Sequence, residues 1–264
     1  TFKNFGVRSD GRLRFYWYNS GTNQNWYQSA SGVIKLNTWH HVAAVFTGGN
    51  GYLYVDGVLV SGNRIDDGTD TGSIAFNGIA TGTFSDGGIH FLGKENGEPA
   101  QSRWLGYISN FHIVNGTAKY TSNFTPASSP LSVISDTKFL FANRNRFIDL
   151  STVPYSPTVN STPSVQAFSP FVPTAVYSAV THGGSAYFDG SADYLTVPDN
   201  AVLRLGTEAF TIEAWVYLTA TTTYQEIIGP HNSDAGWVFR VDNSTGLKAK
   251  FYTGTVELLG TITI

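Results

Sequence analysis

Trp39-His-His-Val-Ala-Ala-Val-Phe46, followed by Tyr52-Leu-Tyr-Val55, Asp56-Gly57 and Val58-Leu-Val60, is the stretch that decides the fold. The first run is apolar on both of its alternating sets, the pattern of an interior strand that touches protein on both faces. The second is a hairpin. Asp-Gly supplies the positive φ angles that a two-residue type I′ turn needs, so the strand returns on itself through Val58.

Outward from there the chain keeps alternating with period two and stops at Gly, Asn, Asp, Ser or Pro, and no window carries an amphipathic helix beyond a turn or two. Further strands are expected at Arg12–Tyr18, Ile89–Leu92, Gly106–Val114, Lys138–Phe141, Ser185–Asp189, Phe210–Tyr217, Gln225–Gly229, Trp237–Asp242 and Leu247–Tyr252. Strands so short and so numerous predict an all-β, antiparallel jelly-roll β-sandwich.

Composition removes several functions. Of 264 residues, 13% are charged and the formal charge is −3, which leaves no positive field for a dedicated nucleic-acid binder. Cysteine is absent, so disulfides, thiolate zinc sites and thiol nucleophiles are out. No apolar run approaches the length of a membrane helix. Methionine is absent too, and Thr1 is therefore expected to follow processing or a fragment boundary.

Two features of organisation stand out. Between Ser151 and Thr174 lie Pro154, Pro157, Pro163, Pro170 and Pro173, half of the 10 prolines; they remove ladder donors and predict an extended, poorly paired connector. The chain also repeats itself. Phe5-Gly-Val7 with Arg12-Leu-Arg14-Phe15-Tyr16 aligns, with a two-residue insertion, to Phe239-Arg-Val241 with Lys248-Ala-Lys250-Phe251-Tyr252, both reading as strand, polar turn and basic-alternating strand.

Three segments carry a family resemblance. Asn37–Phe46 with Gly51–Val58 resembles the "TWHHVA…LYVDG" core of laminin-G-like jelly rolls in the concanavalin A-like lectin and glucanase superfamily. Gly106-Tyr-Ile-Ser-Asn-Phe-His-Ile-Val-Asn-Gly-Thr-Ala-Lys-Tyr-Thr-Ser-Asn-Phe-Thr-Pro126 resembles the "GYISNxRIVxGTAxYTxNFTP" signature of such modules in large structural proteins of tailed phages, marine ones especially. Gly184–Pro198 with Phe210–Val216 is similar to the opening strands of a module, yet it comes last in the chain. The resemblance thus implies the later part of one module over 1–142, a connector over 143–179 and the beginning of a second module over 180–264. Either 180–264 closes against 1–142 as a circularly permuted sandwich, within one chain or between copies, or further chain of a longer parent protein completes both.

That resemblance implies a non-catalytic structural or adhesion module of a virion surface or fibre protein, contacting host glycans; the alternative is a carbohydrate-binding module of a cellular adhesin or secreted polysaccharide-active enzyme. Its location is then the virion surface or extracellular space, and its partners are other copies or modules of the same protein, virion components and glycans, with no nucleic acid and no membrane insertion.

Site by site, the sequence offers little chemistry. A glycanase needs paired carboxylates across a sugar, and no Glu-x-Asp-x-Glu triplet occurs, so no enzyme activity is expected. His40 and His41 are adjacent strand residues on opposite faces and cannot chelate one ion together. Asp66, Asp67 and Asp70 in a Gly-rich loop are the candidate Ca²⁺ ligands, without the spacing and closing Glu of an EF-hand; no cofactor is expected. Gln24, Asn25, Trp26 and Tyr27 read as a polar loop with aromatic rings, and with Trp104 they are the candidate glycan platform, rings stacking on sugar faces and amides bonding hydroxyls.

Overall fold

The computed structural model describes residues 3–7, 13–18, 24–48, 50–60, 62–66, 69–70, 90–94, 103–171, 178–203, 208–220, 224–229, 237–242, 248–252 and 257–259. Its strands in chain order are β1 (Lys3–Val7), β2 (Leu13–Tyr18), β3 (Gln24–Ser29), β4 (Trp39–Thr47), β5 (Asn50–Val55), β6 (Val58–Leu59), β7 (Gly62–Asp66), β8 (Thr69–Asp70), β9 (His90–Leu92) and β10 (Leu105–Asn115). They continue as β11 (Thr137–Phe141), β12 (Thr158–Asn160), β13 (Ser164–Gln166), β14 (Ser185–Asp189), β15 (Tyr194–Val197), β16 (Phe210–Leu218), β17 (Tyr224–Gly229), β18 (Trp237–Asp242), β19 (Lys248–Tyr252) and β20 (Glu257–Leu259).

Two sheets hold them. One runs β13-β14-β10-β16-β4-β5-β6, with β11 sharing an edge of β10; the other contains β12-β15-β9-β17 and continues through β18, β1, β2, β3, β7 and β8. Val42, Ala44, Phe46, Ile212, Ala214 and Val216 of the first sheet pack with Leu92, Leu195, Val197, Ile227 and Ile228 of the second in one buried core. This is the antiparallel jelly-roll sandwich that the strand pattern predicts.

The anchor stretch behaves as its pattern requires. Within β4 the even positions Val42, Ala44 and Phe46 enter the main core, and the odd positions Ala43 and Val45 enter a second cluster with Tyr54, covered by Tyr120 and Phe124. Asp56 and Gly57 have φ of 50° and 78°, the paired positive values of a type I′ turn, and Val55 faces Val58 across it.

Sheet order joins the ends of the chain. β16 lies between β4 and β10, with Phe210 opposite Phe46 and Tyr217 opposite Trp39 on one side and Ile212 opposite Ile113 on the other. Strands from 180–264 and from 1–142 therefore share one sheet and one core.

The expected loose connector is packed instead. Thr158–Asn160 adds β12 to β15, and Ser164–Gln166 adds β13 to β14, so this segment contributes an edge strand to each sheet. The reason is local: Pro157 and Pro163 flank these triplets, and the ladder positions themselves keep their N–H groups. Asp149 ties the segment down, accepting from the N–H of Leu140, Ser151 and Tyr155 and from the Ser151 hydroxyl at 2.6–2.9 Å.

An irregularity in β10 sets which of its side chains face outward. The register slips between Ser109 and His112, and Asn110 there has φ of 51°. Ile108 faces the core before the bulge, and Phe111 and Ile113 face it after, so the inward parity flips from even to odd. The side-chain carbonyl of Asn110 locks the bulge by accepting from Leu131 N–H and Asn143 Nδ2, each at 2.7 Å.

Candidate functional site

The outer face of the β14-β10-β16-β4 sheet is built in rows, because directly opposed residues share a face. One row is entirely aromatic. Tyr187 lies opposite Tyr107, Tyr107 opposite Tyr217, and Tyr217 opposite Trp39. Ring centroids along it are 4.9, 5.7 and 5.6 Å apart. All four side chains are half-buried, and the strand spacing makes the row about 14 Å long.

Phe168, from the segment after β13, lies against this row at 4.8 Å from Tyr107, 4.9 Å from Tyr217 and 5.3 Å from Trp39, and it is 43% exposed. Burial, and then the neighbouring Tyr187 and Tyr217, raise the Tyr107 phenol above its ordinary pKa. A partly exposed, uncharged row of rings flanked by hydroxyls is chemistry suited to the apolar faces of sugars.

Beside the row, one step along β16 and β4, stand Trp215 and His41. Trp215 lines a cleft of about 610 Å³ together with Phe171, Asp56, Ser128, Thr181 and His182. His40 points elsewhere: its Nδ1 donates to Asp56 at 2.8 Å while its Nε2 accepts from Lys35 N–H at 2.9 Å, so one nitrogen holds the hairpin turn and the other holds the segment that leads into β4.

The next row is sealed. Glu213 is fully buried, receiving His112 Nδ1 at 2.8 Å, His41 Nε2 at 3.0 Å, Tyr120 Oη at 2.7 Å and the Lys119 ammonium. Burial by itself would raise the Glu213 pKa, but the hydrogen bonds from His112 and His41 and the charge of Lys119 outweigh it and hold the carboxyl well below its ordinary range. Tyr120 is pushed the other way, by burial and by the Glu213 charge, and remains a neutral donor. Tyr120 and Phe124 stack at 3.6 Å over this row, and Phe124 N–H donates to Gly57 at 2.9 Å. With every donor spent on holding it ionised, Glu213 has no lone pair or proton to offer a substrate.

The residues singled out from sequence do not gather here. Gln24–Ser29 is the strand β3, paired on both edges with β2 and β7, where a loop is expected; the run reads as polar, and the ladders on both sides are what extend it. The side chains of Gln24, Asn25, Trp26 and Tyr27 lie outside the described residues. Trp104 is a correction: at 0% exposure it is a core residue with no face left for a sugar, because its ring packs into the main buried cluster while its backbone N–H donates to the Gly93 carbonyl. Asp66 and Asp70 fall in the short strands β7 and β8, Asp67 lies outside the described residues, and among the described residues no three His, Asp or Glu side chains group as metal ligands. Trp39, Tyr107, Phe168, Tyr187 and Tyr217 were missed. Their signal was the outward parity of four strands, which a single sequence does not align.

No curated protein and no solved structure matches the chain. A laminin-G-type family model matches residues 2–121 and 189–262, the two runs that the sheets interleave and together well over half of the sequence. The chain belongs to the concanavalin A-like lectin/glucanases superfamily.

Proposed function

We propose that the chain is a non-catalytic adhesion module of a virion surface or fibre protein, and that it touches host glycans through the row Tyr187, Tyr107, Tyr217 and Trp39. The aromatic row carries the reading: four rings in register across four strands present a neutral, half-exposed strip. The superfamily fits a carbohydrate-binding or adhesion module, and its laminin-G-like members are generally non-catalytic although it also includes glucanases. The sealed Glu213 supports the non-catalytic side, since a glycanase acid must reach the glycosidic oxygen. The virion setting rests on the likeness of residues 106–126 to the phage signature.

The test is a glycan array probed with the wild-type chain and with Tyr217→Ala and Trp39→Ala. Removing one stacking ring is expected to weaken retention about tenfold while circular dichroism stays unchanged. Equal binding by the variants, or no retained glycan at all, would overturn the assignment. Mass spectrometry of purified particles checks the setting, and a chain found only in a cellular adhesin or secreted enzyme would move it to the alternative.

A further inference from the structure

The cleft beside the aromatic row carries a charge pattern of its own. Trp215 stands two residues before Tyr217 on β16, so both rings lie on the outer face and leave the strand about 7 Å apart. Trp215 meets Phe171 edge to face at 5.7 Å, and together they give the cleft an apolar side. Its volume of about 610 Å³ lies within the range of small-ligand sites. A ligand that lies on Tyr217 is one side chain away from it.

Asp56 supplies the polar side. Its Oδ1 accepts from His41 N–H at 2.9 Å and its Oδ2 from His40 Nδ1 at 2.8 Å, while its own N–H donates to the His41 carbonyl at 2.8 Å. The carboxylate is therefore fixed from both ends, yet its side chain is 49% exposed. An ionised carboxylate accepts at about four positions, so one is left on each oxygen. Two acceptors held at that set spacing suit two neighbouring hydroxyls. Ser128 and Thr181, both exposed, add hydroxyls that give or take a hydrogen bond. Among the described residues no Lys or Arg lines the cleft, and His182 takes the Ser178 N–H on Nδ1 at 2.9 Å, which leaves that nitrogen without the proton a cation would need. The formal charge in the lining is negative.

We infer that this cleft is a subsite for an uncharged sugar residue, whose neighbouring hydroxyls donate to Asp56 while its apolar face lies against Trp215 and Phe171, and that it excludes sialylated, uronic or sulfated ends. The inference rests on the glycan reading of the row and adds to it the class of sugar. The row by itself does not discriminate charge, since rings stack on any sugar with an apolar face. Asp56 does. A hydroxyl gains a charge-assisted bond there, whereas an anion meets a like charge in a cleft with no cation to offset it.

The test prints neutral oligosaccharides beside the same oligosaccharides capped with sialic acid or sulfate. The wild-type chain is expected to retain the neutral forms about tenfold better. Asp56→Asn keeps the turn, since Asn-Gly favours the same type I′ geometry, and is expected to lose about tenfold on neutral glycans and to narrow that preference. Ser128→Lys leaves the hairpin untouched and puts a cation on an exposed position of the lining. It is expected to raise retention of the capped forms about tenfold, and it decides the question if circular dichroism shows Asp56→Asn to be poorly folded. Ser122→Lys, exposed and outside the lining, is expected to change nothing; an equal gain there means that surface charge alone is being read and overturns the inference. Tyr217→Ala reads the row separately. If it weakens binding while Asp56→Asn and Ser128→Lys keep the wild-type pattern, the cleft is no subsite and the row stands. If wild type retains capped forms as well as neutral ones, the class of sugar is wrong. If the Asp56 and Ser128 variants respond and Tyr217→Ala does not, the row falls and the cleft stands. Retention of no glycan by wild type overturns both.

Discussion

Replacing Glu213 by Gln removes one charge and keeps the shape. The four donors converge two on each oxygen, His112 and Lys119 on Oε1 and His41 and Tyr120 on Oε2. Whichever end becomes the amide NH₂ then faces two donors, while the other oxygen still accepts. Losing two charge-assisted bonds costs on the order of 3–5 kcal/mol, and breaking a buried ionic cluster falls in the same range. Part is recovered, because the Lys119 side chain is 21% exposed and reaches water and because a His ring can change tautomer. The net loss is about 3 kcal/mol, equivalent to a melting temperature lower by roughly 6–12 °C for a chain of this size. The assay is urea and thermal unfolding of both proteins across acid pH. The sign is set by linkage. The folded carboxyl has the lowered pKa, so its contribution is complete above the unfolded value of about 4.3 and is lost as pH falls toward the folded value. Wild type should therefore lose stability through that window, and Glu213→Gln should lose less. A variant within about 0.5 kcal/mol of wild type, or one with the same acid slope, would refute the view of Glu213 as an ionised clamp.

Two further substitutions test the packing around the site. Trp104→Ala empties a fully buried position and should cost about 3–5 kcal/mol in urea unfolding while leaving glycan retention under native conditions unchanged; a selective loss of retention at wild-type stability would return Trp104 to the binding surface. Gly57→Ala drives a Cβ into the Phe124 carbonyl oxygen at a φ of 78°, and the loss expected is about 3 kcal/mol with the cover over Glu213 loosened, read as faster hydrogen exchange at Phe124 N–H. Unchanged exchange there would show that the hairpin does not hold the cover.

Much of the architecture is local information. A short run apolar on both faces marks Trp39–Phe46 as a strand, period-two alternation marks Ser185–Asp189, Phe210–Tyr217 and Trp237–Asp242, and Asp56-Gly57 specifies its turn, because side-chain parity and positive φ are properties of a few consecutive residues. The repeat is also legible, since equivalent strands keep equivalent residues even though one stands near each end of the chain. What sequence misjudged depends on partners distant along it. The proline-rich segment reads as a tether until β14 and β15 offer it ladders, and Gln24–Ser29 reads as a loop until β2 and β7 flank it.

The candidate surface belongs wholly to that second category. Tyr107 and Tyr187 join Tyr217 and Trp39 only through inter-strand register, and the Asn110 bulge shifts Tyr107 and His112 onto the same outer face although their numbers differ in parity. Glu213 stands alone in an apolar strand and gives no hint of its four donors, which come from three separate stretches of chain. Which residues extend, where the chain turns and which family it resembles are all legible in the linear order of residues, because those properties arise from neighbours a few residues apart. Which strands lie side by side, and with them the aromatic row and the sealed carboxylate, emerges in the folded chain alone, because register is a relation between segments that local chemistry leaves open.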